Sequence, residues 1–164
     1  EEKVENYLNP TVLEKDNLAL ANVIREVLID LGVPKVGTAY EDPELDHMYQ
    51  CYLQEKSSYF VLENQGEVLG GSGIAPLKGG DPSVCELQKM YFLSKARGQG
   101  LCDKMIDYCL SFAKEQVFKL CYIETLPYME AAQKLYVKKG FQYIKKPMGS
   151  TGHTSCNVWL TKDL

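Results

Sequence analysis

Two glycines one residue apart, in the stretch KARGQGLCDK, separate a run with strand character from a run with helical periodicity. The preceding run, CELQKMYFL, reads as a strand, and after the glycines the apolar residues recur at helical spacing, at Leu101, Met105, Cys109 and Phe112. Glycine costs about 1 kcal/mol relative to alanine inside a helix. A glycine pair at a helix start therefore indicates a sharp turn or a ligand that approaches the backbone closely. The chain must fold so that a strand enters a helix through this turn.

The remaining patterns predict a mixed α/β sandwich. Helices are predicted from Asp16 to Gly32, over 43–55 and over MEAAQKLYVKK. Strands are predicted at Thr11 to Leu13, SSYFVLE, EVLGGSGIAPL, LCYIET, FQYIKK and SCNVWLTKDL, with a hairpin turn at Asn64-Gln65-Gly66. Hairpins followed by a strand-helix-strand unit favour a sheet with both antiparallel and parallel neighbours.

Composition limits the classes of function. A chain of 164 residues, 45% hydrophobic, suits one domain over 1–164. A net charge of −4 offers no basic field for nucleic acid or an anionic membrane and mildly favours a cationic partner. No apolar run approaches the ~20 residues of a membrane span, and the first residues lack the layout of a secretory signal. The six cysteines form no C-x-x-C pair and suit reduced thiols, so we expect a cytoplasmic compartment.

The glycine turn has the chemistry of a phosphate site. A strand that enters a helix in this way leaves backbone N–H groups unpaired at the positive end of the helix dipole. Gly98 and Gly100 remove the side chains that would hold an anion away, and Arg97 adds a positive charge. The sequence lacks the spacing of the P-loop and of the dinucleotide fingerprint. A purely structural turn remains the alternative from these residues alone.

The surrounding residues resemble the GNAT superfamily of N-acetyltransferases. The stretches that carry the likeness are ELQKMYFLSKARGQGLCDKMI and LCYIETLPYMEAAQKLYVKKGFQYI. The family's phosphate-turn pattern falls on 97–102, and its second signature is matched by Leu135, Tyr136, Gly140 and Phe141. Cys102 departs from the pattern, which has glycine or alanine there. The resemblance implies a mostly antiparallel central sheet with splayed parallel central strands, flanked by helices, and an acetyl-CoA-dependent N-acetyltransferase.

The resemblance also implies the coenzyme contacts. The pyrophosphate would bind to backbone amides of the turn, with Arg97 beside it, and the pantetheine arm would lie along the preceding strand. The amides belong to Gly98, Gln99, Gly100, Cys102 and Asp103, and the strand residues are Met90, Tyr91 and Phe92. Met129 replaces an asparagine that many members carry, so one coenzyme contact has no counterpart here.

Three groups carry the chemistry that the resemblance implies. Glu86 would be the general base, the backbone N–H of Met90 would stabilise the oxyanion, and Tyr136 would protonate the departing thiolate. Direct transfer needs no metal, and the two histidines have no spacing that resembles a ligand set. As structural alternatives, Glu86 would face solvent or pair with a lysine, and Tyr136 would be a core aromatic.

The acceptor side is less defined. In the family, two loops grip the acceptor, and these correspond to GTAYEDPEL and PMGSTGHTSC. Tyr40 and Asp42, with the neighbouring glutamates, would attract a cationic amine, and His153 would touch the acceptor or act as a second base. A small-molecule amine and a peptide or protein amine both remain open.

Two other readings of the chain remain. A non-catalytic acyl-CoA sensor would keep the glycine turn and need neither Glu86 nor Tyr136, and a pure interaction module would bind no coenzyme. Exposed strand edges near the C-terminus favour a homodimer.

Overall fold

A computed structural model describes residues 7, 8 and 10–164 and contains a seven-stranded sheet with the order β1-β2-β3-β4-β5-β7-β6. The strands are β1 (Tyr7–Leu8), β2 (Ser58–Asn64), β3 (Glu67–Pro76), β4 (Val84–Phe92), β5 (Leu120–Thr125), β6 (Gln142–Ile144) and β7 (Val158–Asp163). The α-helices are α1 (Asn17–Asp30), α2 (Met48–Cys51), α3 (Leu101–Glu115) and α4 (Glu130–Lys138). Short 3-10 turns lie at Glu14–Asp16, Ala39–Glu41, Pro43–Asp46 and Ser94–Ala96.

The sheet is antiparallel except between β4 and β5. These two strands pair in parallel from Val84↔Leu120 to Glu86↔Tyr122, and the pairing then stops. The rest of β4 remains paired with β3 on its other side, through Tyr91 and Phe92. The prediction of a mostly antiparallel sheet with a splayed parallel pair is therefore confirmed.

Helices cover both faces of the sheet and give the two sides of β4 different surroundings. Cys85 and Leu87 pack into a buried cluster with Met105 and Ile106 of α3. A second cluster, on the other face, joins Leu20, Ile24, Val27 and Leu28 of α1 to Tyr59, Val61 and Ala75. Because side chains alternate along a strand, Glu86 lies on the face opposite Cys85 and Leu87. The predicted base thus faces the side of the sheet that α1 covers.

Four predicted elements differ from the observed ones. The prediction of one helix over 43–55 was wrong, because this segment consists of a 3-10 turn and the four-residue α2. The backbone leaves the helical region at His47 (φ −134°, ψ 41°), and the side chain of Asn17 accepts a hydrogen bond from Tyr49 N at 2.9 Å. This cap from α1 starts the second segment in a new direction.

At Thr11 to Leu13, Thr11 forms only an isolated bridge to Phe60. The N–H of Leu13 donates to Asp16 Oδ2 at 2.8 Å, which turns the chain into the first 3-10 segment. The last two strands are also shorter than FQYIKK and SCNVWLTKDL predicted.

In the part of the chain that the structure describes, no helix has the length and apolar character to cross a bilayer.

Candidate active site

The glycine turn adopts a left-handed backbone between β4 and α3. Gly98 has φ +77° and Gly100, the N-cap of α3, has φ +74°. Residues with a Cβ rarely adopt these angles. A Cβ built on either glycine would meet nothing within 4 Å, so the space in front of the turn is open.

The N–H groups of this turn are available to a ligand. Over the described residues, no backbone hydrogen bond is donated by any N–H group from Gly98 to Asp103, and the first one in the helix runs from Lys104 N to Gly100 O at 3.2 Å. The positive end of the α3 dipole lies behind them. This arrangement fits the pyrophosphate of a coenzyme, which needs several convergent N–H donors.

Side chains around the turn hold it in place. The guanidinium of Arg97 donates two hydrogen bonds to the carbonyl of Phe92, at 3.1 and 2.9 Å, and so ties the turn to the end of β4. The carboxylate of Asp103 pairs with Lys138 at 2.7 Å and with Lys139. The thiol of Cys102 is half-buried, and burial raises its pKa, so it lies at the turn as a neutral thiol.

A bulge interrupts β4 beside the point where the strands separate. Gly73 pairs with Gln88 and Gly71 with Tyr91, which leaves Lys89 and Met90 outside the paired register. Lys89 has φ +50°, an uncommon value for a residue with a side chain, and its carbonyl accepts a hydrogen bond from Tyr59 at 2.8 Å. The bulge re-aims the backbone of β4 toward the opening between β4 and β5.

The opening between β4 and β5 forms a cavity of about 60 Å³, which we call the central cleft. Among its lining residues are Glu86, Gln88, Lys89, Met90, Tyr91, Glu124, Met129, Tyr136, His153 and Cys156. The structure thus brings together the predicted residues of both chemical steps. Phe92 is buried beyond the cleft, and its carbonyl is occupied by Arg97.

Glu86 is a buried carboxyl with one strong partner. Its side chain accepts a hydrogen bond from Gln88 Nε2 at 2.7 Å, and the residue is 7% exposed. Burial raises the pKa of Glu86 to about 7, the hydrogen bond from Gln88 opposes this effect, and the charge of Glu124 adds to it. The carboxyl is therefore divided between its two protonation states at neutral pH.

Tyr136 supplies a protonated hydroxyl to the same cleft. The residue is buried, and its ring packs at 6.0 Å from the ring of Phe141. Burial raises the pKa of Tyr136 far above its ordinary value. Tyr136 lines the central cleft, and no hydrogen bond to its hydroxyl is found across residues 10–164, so its proton is available to a ligand.

His153 lies between two carboxylates next to Glu86. Its Nε2 is 2.8 Å from Asp42 Oδ2 and its Nδ1 is 3.7 Å from Glu124 Oε1. The Asp42 and Glu124 carboxylates raise the pKa of His153 to about 9, so the ring is protonated at neutral pH and donates to Asp42. Burial acts to raise the pKa of Glu124, but its polar neighbours outweigh burial and lower it. Among them, Thr151 and Tyr122 donate to Glu124 at 2.5 and 2.8 Å.

A second cavity of about 710 Å³, which we call the outer cavity, adjoins the central cleft. Its lining includes Asp42, Glu44, Gln50, Tyr52, Lys78 and Thr151. Four residues line both spaces: Glu86, Gln88, Lys89 and His153. Glu86 therefore lies where the two cavities meet.

Two residues of the predicted acceptor loop play local parts in this structure. Lys35 Nζ lies over the ring of Tyr40, 5.3 Å from its centre, and Glu41 accepts a hydrogen bond from Gly37 N at 2.8 Å. Tyr40 is not among the residues that line either cavity, over the part of the chain that the structure describes.

The sequence reasoning missed Gln88, Lys89, Glu124 and Tyr52. Gln88 could have been found, because it lies two residues from Glu86 on the same strand and hence on the same face. The other three are brought to the site by the bulge and by long-range packing. Between residues 10 and 164, as in 7 and 8, no cluster of three histidine, cysteine or acidic residues could hold a metal ion.

The chain shows similarity to known acetyltransferases at three levels. Residues 25–141 match the family described as Acetyltransferase (GNAT) family. A sequence relative, the Uncharacterized N-acetyltransferase YjgM of Escherichia coli (strain K12), is 44% identical over 151 residues, which cover 92% of this chain and 90% of the relative.

Two solved structures show the same fold. An acetyltransferase of the GNAT family from Staphylococcus aureus Mu50 superposes with a TM-score of 0.86 at 20% identity, covering 96% of this chain and 99% of the other. The ribosomal-protein-alanine N-acetyltransferase of Brucella melitensis superposes with a TM-score of 0.77 at 20% identity, covering 96% and 99%.

Proposed function

The chain belongs to the GNAT acetyltransferase family, and we propose that it transfers an acetyl group from acetyl-CoA to a primary amine by direct attack. One observation carries the proposal: the opening between β4 and β5 is lined by a carboxyl of pKa about 7 and by a tyrosine hydroxyl without a protein partner. A base and an acid therefore face the same small space. The open N–H turn at Gly98–Asp103 follows β4 after the 3-10 turn Ser94–Ala96.

The donor side needs only backbone groups. Bound acetyl-CoA supplies an activated acyl thioester. The N–H groups of the turn bind its pyrophosphate, and the unpaired edge of β4 offers main-chain groups at Met90 and Tyr91 to the pantetheine arm. Arg97 keeps the turn fixed to β4.

Glu86 takes the proton of the attacking amine. A general base works best with a pKa near the operating pH, and burial gives the Glu86 carboxyl that value. An alkyl ammonium has a pKa near ~10.4. Transfer of its proton to the Glu86 carboxylate, whose pKa is about 7, therefore costs about 5 kcal/mol. Glu86 accepts the ammonium proton first, and the neutral amine that results attacks the thioester carbonyl with its free electron pair. The hydrogen bond from Gln88 holds the carboxyl toward the cleft.

Tyr136 and Met90 serve the other end of the reaction. The Met90 N–H, on the bulge, stabilises negative charge that develops on the thioester carbonyl oxygen. The protonated hydroxyl of Tyr136 donates its proton to the leaving thiolate. No step requires a covalent bond to the protein.

The test is acetyl-CoA turnover with a panel of small-molecule and peptide amines, read as free thiol and as acetylated product. Calorimetry measures coenzyme binding in parallel. We expect thiol release that depends on the amine, lost in Glu86→Gln and retained in Glu26→Gln, an exposed glutamate of α1. Tight coenzyme binding without turnover on any amine would replace the proposal with the acyl-CoA sensor.

A further inference from the structure

The side chain of Lys89 is buried at the junction of the two cavities. Its side chain is only 6% exposed, although lysine is rarely buried unless it is paired. It lines both the central cleft and the outer cavity, together with Glu86. The β4 bulge places it there, at a backbone φ of +50°. A lysine ammonium at such a position needs an anionic partner, because burial removes it from water.

The protein provides only a weak partner. Within the described chain, Lys89 Nζ makes no hydrogen bond, and its ion-pair partner is Glu44 Oε2 at 3.6 Å. That distance exceeds the 2.7–3.2 Å typical of an N–H···O hydrogen bond. The Glu44 side chain is 59% exposed, so water weakens the attraction. The three N–H donors of the Lys89 ammonium therefore remain available to a stronger acceptor.

The other charged groups of the site are already matched. Asp42 and Glu124 face the protonated ring of His153, and Glu41 accepts a backbone hydrogen bond from Gly37. These carboxylates do not form an open acidic surface for a polycation. Among the residues that line both cavities, two charged groups remain for a ligand, the Glu86 carboxyl and the Lys89 ammonium. Lys78 is exposed and lines only the outer cavity.

We propose that the acceptor carries a carboxylate close to its amine, and that Lys89 binds the carboxylate while the amine faces Glu86. The acceptor class is thus a small zwitterion of the amino acid type, held in the outer cavity. This inference rests on the proposed function. A ligand carboxylate at hydrogen-bond distance would satisfy Lys89 and displace the distant Glu44.

The size of the outer cavity supports a small acceptor. A space of about 710 Å³ lies within the range of roughly 300–1,000 Å³ of small-molecule sites. Its lining brings a cation and a titrating carboxyl to the same wall, with Gln88 between them in the chain. An acceptor with one charge of each sign matches that wall.

The experiment compares acceptors that differ only in the carboxylate. L-alanine, L-alaninamide and ethylamine form one series, and L-phenylalanine, its amide and phenethylamine form another. β-Alanine and γ-aminobutyrate vary the separation of the two charges. For the wild-type protein we expect kcat/KM at least tenfold higher for the acid than for its amide in at least one series. This ratio needs no variant, so the test does not depend on how a variant folds.

Lys89→Met should reduce the acid-to-amide ratio at least tenfold, chiefly through the KM of the acid, and Lys89→Arg should retain part of it. Lys114→Met removes an exposed lysine of α3 and should leave the ratio unchanged. Glu44→Gln should lower the KM of the acid a few-fold, because the competing carboxylate is gone. If Glu44 instead attracted the ammonium, the KM of acid, amide and amine would all rise in Glu44→Gln, and the inference would be overturned.

The failures of the two proposals are distinguishable. Turnover of amides and simple amines as fast as acids, with a ratio that Lys89→Met does not change, overturns the role of Lys89 and leaves the acetyltransferase intact. Absence of acyl transfer to every member of both series and to the peptide amines overturns both.

Discussion

The donor and acceptor sides of the candidate active site differ in the groups that form them, which are backbone groups on the donor side and side chains on the acceptor side. The donor side, at Gly98–Asp103, consists of consecutive backbone N–H groups whose direction is set by two left-handed glycines. The acceptor side consists of side chains that meet from distant parts of the chain, as in the pair Asp42–His153, 111 residues apart. A backbone site needs a local turn, whereas a side-chain site needs the whole fold.

This difference determines which ligands each side can recognise. Backbone N–H groups at a helix start bind any pyrophosphate in much the same way, so the donor side suits a coenzyme shared by many enzymes. Side-chain charges and cavity shape can change without altering the turn. Acceptor choice therefore depends on the outer cavity, and variants on one side should leave the kinetic constants of the other side unchanged.

The largest effect on kcat/KM is expected for a substitution of Glu86, which lies where the donor and acceptor sides meet. Glu86→Gln should lower kcat/KM for the acceptor by about 10²- to 10⁴-fold, the range of general base catalysis. The wild-type kcat/KM should fall as the pH drops below about 7, because protonation of Glu86 removes the base. In Glu86→Gln that dependence should disappear. The measurement is a pH-rate profile from pH 5 to 9, with the exposed Glu26→Gln as the control.

The dissociation constant for acetyl-CoA should stay the same in Glu86→Gln. A variant that lost coenzyme binding and turnover together would contradict the separation of the two sides, since Glu86 would then support the donor site as well.

Tyr136→Phe should have the next largest effect, a loss of about 10²-fold in kcat, the lower end of the range of general acid catalysis. The variant keeps the ring that packs against Phe141 and removes only the hydroxyl of a residue that lines the cleft. The KM of the acceptor should change little, because the proton goes to the leaving thiolate. Single-turnover kinetics with Tyr108→Phe, which alters an exposed tyrosine of α3, gives the matched control. An unchanged kcat would make Tyr136 a core aromatic, as its structural alternative states.

The sequence predicted the two sides to very different degrees. The turn and its flanking strand and helix were predictable, because a short contiguous pattern carries them, and the splayed pair was predicted through the family resemblance. Glu86 and Tyr136 were assigned roles through the resemblance, and the structure places both in the central cleft. The roles themselves stay predictions until kinetics tests them.

The acceptor side could not be derived in the same way. Tyr52 donates to Gln88 at 2.5 Å across 36 residues of sequence, and only the packed fold brings this pair together. The bulge that places Lys89 arises from a register shift between β3 and β4, which no local pattern in β4 announces. The break in the helix over 43–55 depends on a cap from Asn17, again a distant residue.

Gly100→Ala tests the donor side alone. Alanine at φ +74° costs about 1–2 kcal/mol of strain, and its Cβ would stand in the open space in front of the turn. We expect the KM for acetyl-CoA to rise about tenfold, with the KM of the acceptor unchanged. Gly66→Ala in the β2–β3 turn is matched in strain, with φ +82° and nothing within 4 Å of its Cβ. A similar coenzyme defect in Gly66→Ala would assign the effect to strain instead of to contact with the ligand.

Asp42→Asn gives the smallest expected effect and probes the acceptor side alone. Asp42 raises the pKa of His153 to about 9, so its removal should lower that pKa toward the ordinary 6.5. A raised histidine pKa stabilises the fold fully below pH 6.5, and the stabilisation is lost as the pH rises through about 9. Asp42→Asn should therefore lower the free energy of unfolding by about 1 kcal/mol at pH 6 and leave it unchanged at pH 10. Proton NMR titration of the His153 ring measures the pKa directly. If Asp42→Asn changed the KM for acetyl-CoA as well as the pKa of His153, the donor and acceptor sides would not be independent, because the ion pairs of the outer cavity would affect coenzyme binding.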